Sequence, residues 1–149
     1  MYKKYMDEPS SSIGKYMVGV GAGLVDKAKK SVLMLHRKSE FQDGVWEIVY
    51  GRLNQGESFL DALTRELKEE TGIQTVTIIH PTRTWHLYRG PTRPEYELVG
   101  VTYLCESNTQ SIRLSDEHDA YTWMTKKDVL ACRTNDSIRE DVLYLLDQI

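Results

Sequence analysis

Apolar residues along the chain follow two rhythms, one of period two and one of period between three and four. Lys15–Val25 (KYMVGVGAGLV) and Ser31–Arg37 (SVLMLHR) read as strands joined by a polar Asp-Lys-Ala-Lys-Lys turn. Val45–Val49 (VWEIV) reads as a short strand ahead of a glycine loop. Gln74–Tyr88 reads as extended with an interruption near Pro81, and Arg89–Pro94 as a hairpin loop. Glu95–Glu106 (EYELVGVTYLCE) alternates most clearly, and Tyr121–Met124 is a further short strand.

The helical rhythm begins at Ser58, an N-cap with Asp61 three residues on, as in a capping box. Leu60, Leu63 and Leu67 form the apolar stripe, and Gly72 closes the helix at C′. Lys126–Ala131 predicts a helical turn. Ser137–Ile149 predicts an amphipathic terminal helix with Ile138, Val142, Leu145 and Leu146 inward. Strands and helices interleave without a regular βαβ repeat, which predicts an α/β or α+β layered domain around a mixed sheet. Glycines 19, 21 and 23 alternate with apolar residues, but no helix pattern follows. They predict a strand approached closely by another backbone rather than a phosphate loop.

A chain of 149 residues suits one domain, taken as 15–149, with residues 1–14 as a flexible lead-in ending in Pro-Ser-Ser-Ser. The 40% hydrophobic and 28% charged composition is globular. A net charge of −3 argues against a non-specific grip on nucleic acid, while local arginines can still meet a nucleotide. Cys105 and Cys132 have neither the number nor the spacing of a disulfide framework or zinc site. The N-terminus lacks the apolar stretch of a secretory signal, and no run approaches the ~20 apolar residues of a membrane span. The expectation is a cytoplasmic protein with no membrane partner.

Candidate chemistry concentrates in Gly51–Ile73 (GRLNQGESFLDALTRELKEETGI). Glu66, Glu69 and Glu70 share one helical face, with Cβ atoms about 5–6 Å apart, so like charges repel. Taken alone, such glutamates are commoner on a solvated face, screened here by Arg65 and Lys68. A hard divalent cation, which prefers oxygen ligands, is the other way to compensate them. The whole pattern decides between the two. It reads Gly51, five residues, Glu57, seven residues, then Arg65-Glu66-Leu67-x-Glu69-Glu70-x-Gly72-Ile73. Nine specified positions match by chance on the order of once in ten billion starting points.

This pattern is that of the Nudix box, and the chain resembles a Nudix hydrolase. The resemblance implies a Nudix α/β/α sandwich with a mixed β-sheet. It implies water attack on a phosphorus of a nucleoside di- or triphosphate derivative, with Mg2+, or Mn2+ as an alternative. Carried over by position, Glu66, Glu69 and Glu70 are metal ligands, joined by the Tyr50 backbone carbonyl. Arg65 orients the glutamates, Glu57 braces the loop–helix junction, and Gly51 gives the loop backbone freedom. Either Glu66 or Glu117 is the general base, with His118 as an assisting acid.

Arg37 is the implied phosphate contact, with Arg83, Arg89 and Arg93 as others. Trp46, Trp85, Tyr88 and Trp123 are aromatic candidates for stacking a base, although core packing is the commoner use of each. Val49-Tyr50-Gly51 departs from the usual Pro-Gly-Gly. It looks closer to the branch containing dihydroneopterin triphosphate and dATP pyrophosphohydrolases, and the Tyr50 ring is expected to reshape the pocket. The expected partner is a small nucleotide-like diphosphate rather than nucleic acid, with a homodimer left open. A non-catalytic nucleotide sensor of the same fold is the alternative.

Overall fold

A computed structural model describes residues 14–38, 44–108 and 111–149. The lead-in assigned to 1–14 lies outside the described residues except for Gly14. Strand β1 (Met17–Asp26) turns into β2 (Ser31–Arg37) through Lys27–Lys30, where Asp26 Oδ1 accepts the Lys29 amide at 3.2 Å. The segment expected as one strand at 45–49 is two, β3 (Val45–Glu47) and β4 (Val49–Arg52). β3 pairs with β2, whereas β4 pairs with β1, so the chain changes partner at the wholly buried Ile48. Then follow helix α1 (Phe59–Thr71), β5 (Thr77–Tyr88), a 3-10 turn (Pro94–Tyr96), β6 (Glu97–Glu106), β7 (His118–Thr125), α2 (Lys126–Ala131) and α3 (Asp136–Leu146).

The seven strands form one mixed sheet in the order β3-β2-β1-β6-β5, with β4 added to β1 and β7 to β2. β1 and β6 are parallel and every other pair is antiparallel. β5 runs on through Pro81, which the ladder accommodates by register shifts at Ile78/His80 and Pro81/Arg83. β7 begins at His118, three residues before the expected start, and its pairing shifts register between His36 and Arg37.

Each face of the sheet is covered by helix. Val20, Ala22 and Leu24 of β1 pack with Ala62, Leu63 and Leu67 of α1. Val32 and Met34 of β2 pack on the other face with Val129, Val142 and Leu145 of α2 and α3. The Ser58 hydroxyl accepts the Asp61 amide at 3.1 Å, and Gly72 ends α1 at φ 75°. The expected stripe is wrong at Leu60, which is 48% exposed. Phe59 is exposed beside it, at the edge of a groove over Trp85, Val99 and Val101, and burial of α1 begins only at Ala62.

Glycines 21 and 23 are approached by side chains rather than by a neighbouring backbone, which corrects the expectation there, whereas Gly19 is also approached by the Gly51 backbone carbonyl, 3.2 Å from where a Cβ would lie. A Cβ on Gly23 would lie 1.8 Å from Leu145 Cδ1. On Gly21 it would lie 2.8 Å from both Tyr50 Cε1 and Thr102 Oγ1, and on Gly19 2.8 Å from the Trp85 ring. Beneath these rings Asp141 of α3 is buried, and its Oδ2 accepts the hydroxyls of Tyr50 and Thr102, each at 2.6 Å. Thr102 Oγ1 in turn accepts the Trp85 indole N–H at 3.1 Å. Burial raises the Asp141 carboxyl above the usual carboxylate range. Cys105 is buried, Cys132 is partly buried, and both are free thiols. Among the described residues no helix is long and apolar enough to cross a membrane.

Candidate active site

The glycine loop delivers the chain from β4 to α1 so that Gly51 lies directly against Glu66. A Cβ on Gly51 would sit 2.0 Å from Glu66 Cδ. Gly51 is not among the residues of positive φ, so close approach, and not the expected backbone freedom, is what requires glycine there.

Arg65 ties this junction together. Its Nε and Nη2 donate to the two carboxylate oxygens of Glu57 at 2.8 and 2.9 Å, a forked pair. Nη2 also donates to the Arg52 carbonyl at 2.9 Å, which fixes the strand end to the helix. Nη1 reaches Glu66 Oε1 at 2.7 Å and Glu69 Oε2 at 3.3 Å. Glu57 completes the brace by accepting the Asn54 amide at 2.9 Å. Its bonds to Arg65, and then to that amide, lower its carboxyl to about 2.

Glu70, one turn beyond Glu66, lies in a different environment. It is 6% exposed, and its Oε2 has no hydrogen-bond partner among the described residues. Burial first, then the charges of Glu47, Glu66 and Glu117, push its carboxyl up to about 9, against an opposing pull from Arg37. Glu66 is raised too, mainly by burial, with Arg65 opposing. Glu69 is exposed at the rim.

The sheet closes the other side. Arg37, at the end of β2, donates from Nη1 to Glu47 Oε1 at 2.8 Å and lies 3.5 Å through Nη2 from Glu117 Oε2. His118 is not the accessible acid that its loop context suggests. Its side chain is fully buried, and Nε2 donates to Glu47 Oε1 at 3.0 Å. The structure thus brings Glu66, Glu70, Glu117 and Arg37 together. Glu47 belongs with them and was missed. The available signal was a lone carboxylate inside the apolar run VWEIV.

Other expectations separate from this cluster. The Tyr50 ring turns to the α3 face, toward Asp141, and does not enter the glutamate side. Trp46 packs against His36, ring centroids 5.0 Å apart, with its carbonyl taken by the Thr134 hydroxyl at 2.6 Å. Tyr88 lies at the hairpin end of β5, paired with Glu97 and stacked edge-on with His86. Arg83 pairs with Glu140 at 2.9 Å on the α3 side.

Among the described residues, no three acidic, histidine or cysteine side chains already converge as a metal cage. Arg65 Nη1 occupies one oxygen each of Glu66 and Glu69, so these carboxylates face the guanidinium as they stand. The donor chemistry nevertheless fits a hard cation. All the donors are oxygens, one is a buried and unpartnered carboxylate oxygen, and three further carboxylates raise its proton affinity.

Comparison with known proteins places the fold. RNA pyrophosphohydrolase of Bartonella quintana is 38% identical over 85 residues, covering 57% of this chain and 42% of that protein. The matched region therefore spans less than half of that relative's length. The MutT protein of Methanosarcina mazei superposes with a TM-score of 0.73 at 23% identity, covering 91% of this chain and 95% of the other. The dihydroneopterin triphosphate pyrophosphohydrolase of E. coli superposes at 0.70 with 21% identity, covering 91% and 99%. A family model for the NUDIX domain matches residues 15–146, nearly the whole chain, and the protein belongs to the NUDIX domain family.

Proposed function

We propose that this chain is a divalent-cation-dependent pyrophosphohydrolase acting on a small nucleoside di- or triphosphate derivative. The observation that carries the reading is Glu70. A buried carboxylate with an unpartnered oxygen, crowded by Glu47, Glu66 and Glu117, is costly unless a cation arrives. Glu66, Glu69 and Glu70, with the Tyr50 carbonyl, would hold that cation, magnesium or alternatively manganese. When bound it lowers the pKa of a coordinated water and offsets charge on the diphosphate.

Arg65 keeps Glu66 and Glu69 on the cluster side of α1, while Glu57 keeps Arg65 in place. Arg37 meets a phosphate oxygen by charge-assisted hydrogen bonding. Of the two bases considered, Glu117 suits the role better. Its side chain is 60% exposed and so open to an attacking water, whereas Glu66 is committed to Arg65.

The test is a hydrolysis panel of nucleoside triphosphates, nucleotide sugars, ADP-ribose and dinucleoside polyphosphates, with magnesium or manganese, in 18O-labelled water. The reading predicts cation-dependent cleavage with label on phosphorus. No product from any substrate would refute it, and tight binding without turnover would establish the sensor alternative. Strong competition by triphosphorylated RNA would move the substrate class to RNA 5′ ends.

A further inference from the structure

Among the described residues, Glu47 is the one buried carboxylate near the cluster to which the reaction above gives no task. It stands in β3 opposite Leu35, and its side chain is 7% exposed. Its Oε1 accepts two bonds from two other strands, Arg37 Nη1 at 2.8 Å and His118 Nε2 at 3.0 Å. The second bond exists because of the register shift in β7. His36 pairs with Ala120, so unbroken pairing would set Asp119 opposite Arg37, whereas the structure sets His118 there. Asp119 turns outward to His36 Nδ1 at 2.5 Å, and His118 turns inward. A bulge beside a site commonly serves to re-aim a side chain in this way. Here it replaces a carboxylate, which would add to the repulsion on Glu70, by an imidazole that braces Glu47.

We propose that Glu47 is a positioning residue for phosphate recognition. Braced from its buried side by His118, it fixes the Arg37 guanidinium beside Glu117, in the orientation that meets a substrate phosphate. The assignment rests on the hydrolase reading above. A planar guanidinium gains most of its selectivity for phosphate from a fixed fork, so loosening it weakens binding before it affects the chemical step. A merely structural ion pair would change stability without this split.

The experiment is a double-mutant cycle on KM and kcat with the best substrate of the panel, using Glu47→Gln, Arg37→Ala and the pair. Glu47→Gln should raise KM about tenfold, which corresponds to about 1.4 kcal/mol, with a smaller fall in kcat. The double variant should be no more than about twofold worse than Arg37→Ala. Additive effects, or an unchanged KM in Glu47→Gln, would overturn the proposal. Should Glu47→Gln fail to fold, Glu47→Asp keeps the charge and retracts it by one methylene. It should show the same KM-dominated loss and the same coupling to Arg37.

A second readout needs no turnover. The 15N signals of the Arg37 guanidinium should show hindered rotation in the substrate-free wild type and averaged rotation in Glu47→Gln. Averaged signals in both proteins would sink the positioning role. Absent wild-type turnover would instead sink the hydrolase reading alone.

Discussion

Adding one methyl group to Gly51 should disable the site while leaving the fold intact. The new Cβ would sit 2.0 Å from Glu66 Cδ, 2.1 Å from Cγ and 2.2 Å from Oε1. Ordinary contact begins near 3.4 Å, so the carboxylate must retreat by about 1.4 Å. It cannot retreat freely, because Oε1 is bonded to Arg65 Nη1 at 2.7 Å and Arg65 is itself forked onto Glu57. Misplacement of a reacting group by about 1 Å costs on the order of a hundredfold in rate, or ~2.7 kcal/mol in the barrier. Backbone strain adds little, since Gly51 has no positive φ.

Gly51→Ala should therefore lose roughly a hundredfold in kcat with a stability loss of only ~1 kcal/mol. Gly23→Ala provides the contrast, with a nominal clash of 1.8 Å against Leu145. That clash lies in the core on the α3 face, so it should cost about 1–3 kcal/mol of stability and spare the magnesium dependence. Steady-state kinetics and thermal melts on both variants decide the matter. Gly51→Ala retaining kcat within about fivefold would refute the argument from close approach.

Arg65→Lys keeps the charge but loses the fork onto Glu57 and the bond to the Arg52 carbonyl. It should lower stability by about 1–3 kcal/mol and kcat by roughly ten- to a hundredfold, as read by melting curves and turnover. Glu70 supplies a pH signature. Its folded carboxyl, at about 9, lies above the ordinary 4.5, so between these values the folded chain binds more protons than the unfolded one. The contribution of Glu70 to the stability of the metal-free protein should be fully present below the lower value and decline as pH rises through that window. Cation binding must expel that proton, so the magnesium-induced gain in Tm should grow with pH until about 9. A gain independent of pH would contradict the protonated state of Glu70.

The helix and the placement of its glutamates were legible in the sequence because local rules govern them. Ser58, Leu63, Leu67 and Gly72 behave as cap, core and stop, and the glutamate spacing follows from helical periodicity alone. Leu60 misled because periodicity assigns a face but not which turn of it packs, and burial begins only at Ala62. The alternating glycines announced a close approach. The approaching groups, Trp85, Tyr50 and Leu145, come from three distant elements that no local pattern connects. Glu47 and His118 were illegible for a related reason. Their meeting depends on the partner change at Ile48 and on a one-residue register shift in β7, both properties of strand pairing rather than of either segment.

The central claim is that Glu70 faces a catalytic cation, and turnover against magnesium concentration in wild type and Glu70→Gln tests it most directly. The account predicts a loss of about three orders of magnitude in kcat, with Tm of the metal-free protein unchanged or higher because an amide needs no bound proton to occupy that buried, crowded position. Turnover within about tenfold of wild type, with the same magnesium dependence, would contradict it.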